Sequence, residues 1–307
     1  LVLLSHDNIE FIKQSLPDRL IRMSIISPHS YYRLATVPGE VASYGYAVLP
    51  VELLAAEQSV ARYDPSAAVD LNKSLCRNLL ADFTFTSADA YWAFPQKFHF
   101  LYEQQLQRIR NLLSDKPDSY FTLENDSFRK DLAILCHRLI PCGAEFATPF
   151  SGIARSLLFK AGLRQAAKFS QAIARCRGIK PFLELHMHPD FTSGFNPEGW
   201  IETYENLADF LVANPSFLGV QSTSWFLDPA LAEISPHLSY LRQVPELCGA
   251  TILYAGEDDC NHSGAFLTSQ TRRDLYASGH YIPRLFTRIW PRELLIQRSW
   301  RSLSVIS

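Results

Sequence analysis

The sequence predicts an α/β protein: a mixed sheet flanked by helices, with a helical N-terminal portion. Three observations carry this. From about residue 181 onward, strand-like runs alternate with amphipathic helical ones. Between about 67 and 140 the apolar residues recur at helical spacing instead. The 307 residues are 47% hydrophobic and 20% charged, ordinary globular composition with ample material for a core. We divide the chain into 1–140, a mixed region mostly helical from 67, and 141–307, the α/β domain.

The elements follow in order. Residues 8–16 suit a short helix. Runs at 31–37 and 44–49 are rich in aromatic and β-branched residues and flank Pro38-Gly39, as two strands about a turn would. Leu71, Leu75, Leu79 and Leu80 stripe a helix over 67–83; Leu101, Leu106, Ile109, Leu112 and Leu113 stripe another over 98–113. Asp126-Ser127 opens a helix to about Leu139. Short strands are expected at 141–148 and 154–159, joined at Ser151-Gly152. Residues 163–176 are rich in Ala and straight-chain side chains, and Gly178 suits the stop of that helix. A strand at 181–188 leads to a helix at 197–213, with Asn196 as N-cap, Pro197 in the first turn, and Trp200, Tyr204, Leu207, Phe210 and Leu211 inward. Then come a strand at 217–226, a helix near 235–248, a strand at 250–254, a helix at 269–277 and a last strand at 284–290.

The formal net charge of −2 gives no global field to recruit nucleic acid or an anionic membrane. No apolar run approaches the roughly 20 residues of a membrane span. Six cysteines without a CxxC pair read as reduced, mostly buried thiols of a cytoplasmic protein. The first residues lack both Met and the features of a signal peptide, which reads as a trimmed or partial chain. The expected partner is a small-molecule substrate, with neither nucleic acid nor membrane.

The most informative stretch is 181–200. Glu184, His186, His188 and Asp190 fall at every second position, so on an extended strand they share a face, while Leu183, Leu185 and Met187 take the other. Such a row supports two chemistries. Glu184 or His186 can act as a general base on an amine or hydroxyl. Alternatively His186, His188 and Asp190 can ligate a metal, Zn or Fe, because imidazoles at alternate strand positions reach one point. A plain polar strand end is the third reading, and a non-catalytic ligand-binding or partner-binding protein would follow from it. Ser222 and Ser224, at the end of the next strand, are candidates to hold a substrate carbonyl or carboxylate. Arg272, at a capped helix start, is a candidate carboxylate or phosphate clamp.

Two resemblances follow from these residues. His188-Pro189-Asp190, with His262 and Arg272 downstream, is similar to the ligand order of the iron and 2-oxoglutarate oxygenases. The HxHxD run also resembles part of a metallo-hydrolase pattern, with Phe191 where its last His would stand. The element order from 181 resembles the C-terminal half of the GNAT-type N-acyltransferases. That resemblance implies acyl transfer to an amine or amino acid, with acyl-CoA or another acyl carrier as donor. It puts the general base on Glu184 or His186 and offers Tyr240 to protonate the departing thiolate. It also implies that the strand bearing the base splays from its neighbour. The family holds the CoA pyrophosphate on a glycine-rich turn carrying Gln or Arg; here 192–199 has glycines, no basic residue, and Glu198.

Overall fold

The computed structural model describes residues 46, 49, 51–85, 93–260 and 263–298. The expected helix at 8–16, the strand at 31–37, most of 44–49, and His262 lie outside the described residues. Two compact units emerge. One runs to Pro141 and includes His188–Asp190; the other comprises Cys142–Met187 and the chain from Phe191.

The first unit is helical from residue 51, earlier than the periodicity suggested. Its helices are α1 (Val51–Tyr63), α2 (Pro65–Asp82), α3 (Lys97–Asp115) and α4 (Asp126–Leu135), followed by the short strand β1 (Ile140–Pro141). Asp64 caps α2 by accepting from the Ser66 and Ala67 N–H groups, and Asn125 caps α4 in the same way. Leu71, Leu75, Leu79, Phe98, Tyr102, Leu106, Ile109 and Phe128 are buried between these helices. Asn72 fastens the layer, donating to Glu57 Oε1 at 2.6 Å and to the Phe121 carbonyl at 3.0 Å.

The second unit carries β2 (Phe146–Ser151), α5 (Gly162–Cys176), β3 (Phe182–His186), α6 (Pro197–Ala213), β4 (Gly219–Ser224), the short α7 (Leu231–Ile234), α8 (Tyr240–Leu247), β5 (Thr251–Glu257), α9 (Gln270–Ala277), β6 (Arg284–Pro291) and α10 (Arg292–Ile296). Among the described residues six strands form one mixed sheet in the order β1-β2-β3-β4-β6-β5. β3 is antiparallel to β2 and parallel to β4; β6 is antiparallel to both β4 and β5. β3 is therefore interior, and Leu183 and Leu185 are buried as its apolar parity requires.

Three expected elements differ. The strand expected at 141–148 is broken by a loop over 142–145, and Ser151, expected in a turn, ends β2. Residues Arg155–Phe159 form a 3-10 turn, not a strand, because the chain coils there to put Leu157 into the core while Phe159 stays exposed. The helix expected near 235–248 is divided. Ser235-Pro236 starts a separate 3-10 turn ending at Leu238, and the helix proper begins at Tyr240.

Residues paired directly across a ladder share a face. One face therefore carries Leu183, Val220, Ser222, Arg288 and Trp290; the other carries Glu184, Gln221, Thr223, Thr287 and Ile289. α5 covers the second face through Phe169 and Ala172, packed with Phe182, Leu253 and Ile289. α6 covers the first, where Tyr204 meets Trp290 edge-on at 4.9 Å between ring centres and Trp200, Leu207, Phe210 and Leu211 are also buried. At roughly 1.5–3 kcal/mol for each large apolar side chain buried, these two layers hold the sheet between them.

Candidate active site at the end of a parallel ladder

β3 and β4 pair at Leu183↔Val220 and Glu184↔Gln221, and there the ladder ends. Beyond it β3 continues to His186 against β2, and β4 continues through Ser222–Ser224 against β6. The pairing of the two parallel strands thus stops after Glu184, and each strand stays paired with its other neighbour.

Glu184 sits at that point on the α5 face. Its Oε2 accepts from the Ser151 hydroxyl at 2.6 Å. Ser151 Oγ in turn accepts from Gln221 Nε2 at 2.9 Å. Because Gln221 supplies a proton to Ser151, the serine's own proton is aimed at Glu184, and Oε1 is left for another partner. A bulge in β2 between Thr148 and Ser151 brings the serine into this position. His186 is half-buried on the same face, and Thr223 and Thr287 share a hydrogen bond of 2.7 Å two positions along.

The α6 face holds a different centre. Arg288 is 1% exposed, its Nη2 donating to Glu145 Oε2 at 3.1 Å and its Nη1 to the Tyr204 hydroxyl at 3.1 Å. Glu145 is placed by a loop fixed to α6: Thr203 Oγ1 accepts from the Ala144 N–H at 2.7 Å, and Asn206 donates to the Cys142 carbonyl at 2.9 Å. Gly143 in that loop has φ +119° and leaves no room for a side chain, since an added Cβ would stand 2.6 Å from Thr203 Oγ1. Burial pushes the Glu145 carboxyl upward despite the guanidinium beside it. Burial also opposes the Arg288 charge, but Tyr204 and Glu145 outweigh it and hold the guanidinium protonated. Tyr240 is coupled electrostatically to Glu145 and Tyr204, and burial, the largest influence, pushes its phenol upward, so it keeps its proton. Ser222 faces Arg288 across the ladder and is buried.

The sequence-selected residues are therefore distributed. Glu184 and His186 stand together on one sheet face. Tyr240 and Ser222 belong to the layer on the other. The regular alternation ends at His186, because Pro189-Asp190 turns the chain, so His188 and Asp190 leave the row. His188 is fully buried in the helical unit, its Nε2 3.1 Å from Asp131 Oδ1 and its Nδ1 accepting from the Asp190 N–H at 3.1 Å. That backbone donor fixes the tautomer with the proton on Nε2, pointed at Asp131. The Asp190 carboxylate meets Lys116 at 2.8 Å. Among the described residues no three His, Cys, Asp or Glu side chains gather as metal ligands do. Ser224 caps the turn after β4 by accepting from the Phe226 N–H at 3.1 Å. Arg272 is buried, donating to the Ala265 carbonyl at 2.6 Å and to Ser235 Oγ at 2.8 Å, with its guanidinium carbon 4.8 Å from the Trp225 ring centre. It clamps two loops of its own unit. Burial pushes Cys136 and Cys176 up to about 12, so these thiols stay protonated.

Sequence reading did not single out Glu145, Arg288, Ser151 or Gln221. Arg288 within the apolar run 284–290 was the available signal, since a charge at an inward strand position demands a buried partner. No family model, no curated protein and no solved structure matches the chain.

Proposed function

We propose that this protein transfers an acyl group from a thioester, acyl-CoA or another acyl carrier, to the amine of a small acceptor such as an amino acid, in the manner of the GNAT-type acyltransferases its element order resembles. The observation that carries the reading is the end of the β3–β4 pairing directly after Glu184. A splay of the two strands from that point, each still paired on its far side, would open the sheet beside the Glu184 carboxylate. Glu184 Oε1 takes the proton of the attacking amine, while Ser151 and Gln221 hold Oε2 and fix the carboxylate plane. His186, two residues on along the same face, is the alternative base. Tyr240, its phenol protonated at neutral pH, is the donor for the departing thiolate; this role requires its hydroxyl to reach the opening from the α6 side.

The loop before α6 bears on the donor. Residues 192–199 carry Glu198 and no Lys or Arg, so this loop gives little attraction to a pyrophosphate. An acyl-pantetheine thioester should then serve about as well as the corresponding acyl-CoA.

The experiment is a thioester-consumption assay with acyl-CoA and acyl-pantetheine donors of increasing chain length against a panel of amines and amino acids. Acceptor-dependent thiol release is expected, and Glu184→Gln should lower its rate on the order of 10²–10⁴-fold with an unchanged Tm. Absence of transfer with every donor and acceptor, or a fully active Glu184→Gln variant, sinks the reading.

A further inference from the structure

The chain between Glu145 and Glu184 holds no acidic residue, yet it carries Arg155, Lys160, Arg164, Lys168, Arg175, Arg177 and Lys180. In a chain of net charge −2 this is a local excess that the whole-chain figure conceals. All these side chains are exposed, and none is in an ion pair among the described residues. Helix α5 sets them in order. Phe169, Ala172 and Cys176 face the core. Arg164, Lys168 and Arg175 follow one another at spacings of four and seven, which makes one stripe along the helix. α5 is bonded to β5 through Gln165 and Tyr254, and the acids at the end of that strand are engaged elsewhere. Glu257 faces Arg284 across the ladder, Asp258 accepts from Ser263, and Asp259 accepts from Tyr276.

At the N-terminal end of this basic surface stand Phe159 and Leu163. They are 80% and 90% exposed, the highest values for any large apolar side chain among the described residues. Leu163 is next to Arg164 in the first turn of α5, and Phe159 is next to Lys160 just before it. A lone exposed apolar residue is ordinary. Two of them set beside unpaired cations suit a surface that is negatively charged outside and apolar just beneath. An anionic bilayer has that layering. A nucleic acid offers cations the same phosphates, but it gives an aliphatic side chain such as Leu163 no apolar layer to enter.

We propose that α5 and the turn before it form a docking surface for an anionic lipid bilayer. Arg164, Lys168 and Arg175 lie against the headgroups, and Phe159 and Leu163 insert between them. The long Arg and Lys stems let the stripe reach the plane that Leu163 enters. The attachment is peripheral, since no described helix is long and apolar enough to cross a membrane. Net charge, from which no membrane partner is expected, does not report such a local field. The inference does not rest on acyl transfer; a protein that only binds a ligand would dock in the same way.

The test is sedimentation of the whole chain with vesicles of equal parts phosphatidylcholine and phosphatidylserine and, separately, of phosphatidylcholine alone. Binding to the anionic vesicles is expected, at least about tenfold tighter than to the neutral ones and falling as salt rises. Each Lys or Arg near an anionic surface strengthens binding about fivefold, so Arg164→Gln with Lys168→Gln and Arg175→Gln should weaken it on the order of 100-fold. Phe159→Ser with Leu163→Ser should weaken it about tenfold and leave the salt dependence in place. These side chains are exposed, so both variants should keep the wild-type Tm and the losses cannot be blamed on misfolding. No binding to the anionic vesicles, equal binding to both kinds, or wild-type binding by the charge variant overturns the proposal. Wild-type binding by the serine variant overturns it too and, together with tight binding of a duplex DNA of arbitrary sequence, assigns the surface to phosphate polyanions in general.

Discussion

Asp131 shows what one buried carboxylate can organise. Its Oδ2 accepts from the Tyr120 hydroxyl at 2.6 Å, while Oδ1 accepts from Arg108 and faces His188. Burial alone would raise its pKa; the His188 hydrogen bond and the Arg108 charge outweigh that and hold it below the usual carboxylate range. The unfolded chain, with Asp131 near its ordinary value, is therefore the first to take the proton on acidification. The stability this contributes is present above about pH 4 and is lost as pH falls further. His137 acts earlier. It is packed among the rings of Phe83, Phe94 and Tyr102, with ring centres 4.6, 5.7 and 5.2 Å away, and burial pushes it down to about 4. The unfolded imidazole protonates near 6.5, so stability falls between about pH 6.5 and 4, by on the order of 3 kcal/mol. Urea melts across this range should show both losses. His137→Asn, which tolerates the φ of +54° at this position, should flatten the upper one. A wild-type stability that is constant from pH 7 to 4 would contradict the buried neutral imidazole.

Among elements, α6 does the most positioning. Thr203 and Asn206 in its middle hold the loop bearing Glu145, its inner face buries Trp200 and Tyr204, and its start is packed on the loop after β3. An added Cβ at Gly199 would stand 2.2 Å from the Gly194 carbonyl oxygen, backbone against backbone. Gly199→Ala should therefore cost about 1–3 kcal/mol, read as a lower denaturation midpoint at unchanged m-value. Much of α6 was legible in the sequence: the Asn196 cap, the Pro197 start and the apolar stripe all stand where periodicity put them. So were the interior parity of β3 and the extents of β4, β6 and α5 to within a few residues. What was not legible has a common cause. Local pattern marks a residue as inward or polar, but it does not say what it meets. Arg272 has the sequence context of a surface clamp and instead holds two loops from within. Glu145 and Arg288 are 143 positions apart, and nothing near either announces the other. Glu184 was visible as a candidate base, while the Ser151 that orients it depends on a bulge in a different strand.

At the scale of the molecule, the Glu145–Arg288 pair ties the first loop of the α/β unit to β6, the last strand of its sheet. Breaking a buried pair from one side strands the remaining charge. Arg288→Met should cost about 3–5 kcal/mol, whereas Arg288→Met with Glu145→Gln should recover a large part of it. Additive losses in the two single variants and the double one would show that the pair is not coupled.

The helical unit does not end where the α/β unit begins. His188–Asp190, supplied from the middle of the second unit's sequence, completes the Asp131 hub from 57 positions downstream. During synthesis, then, helices α1–α4 leave the ribosome with Asp131 lacking one of its partners, and the hub closes after the strand bearing Glu184 has also been made. A ribosome stalled before residue 188 should display a helical unit that is more readily proteolysed than one stalled beyond it. For the same reason a fragment cut at Pro141 is missing part of its own interior, although α1–α4 are all within it.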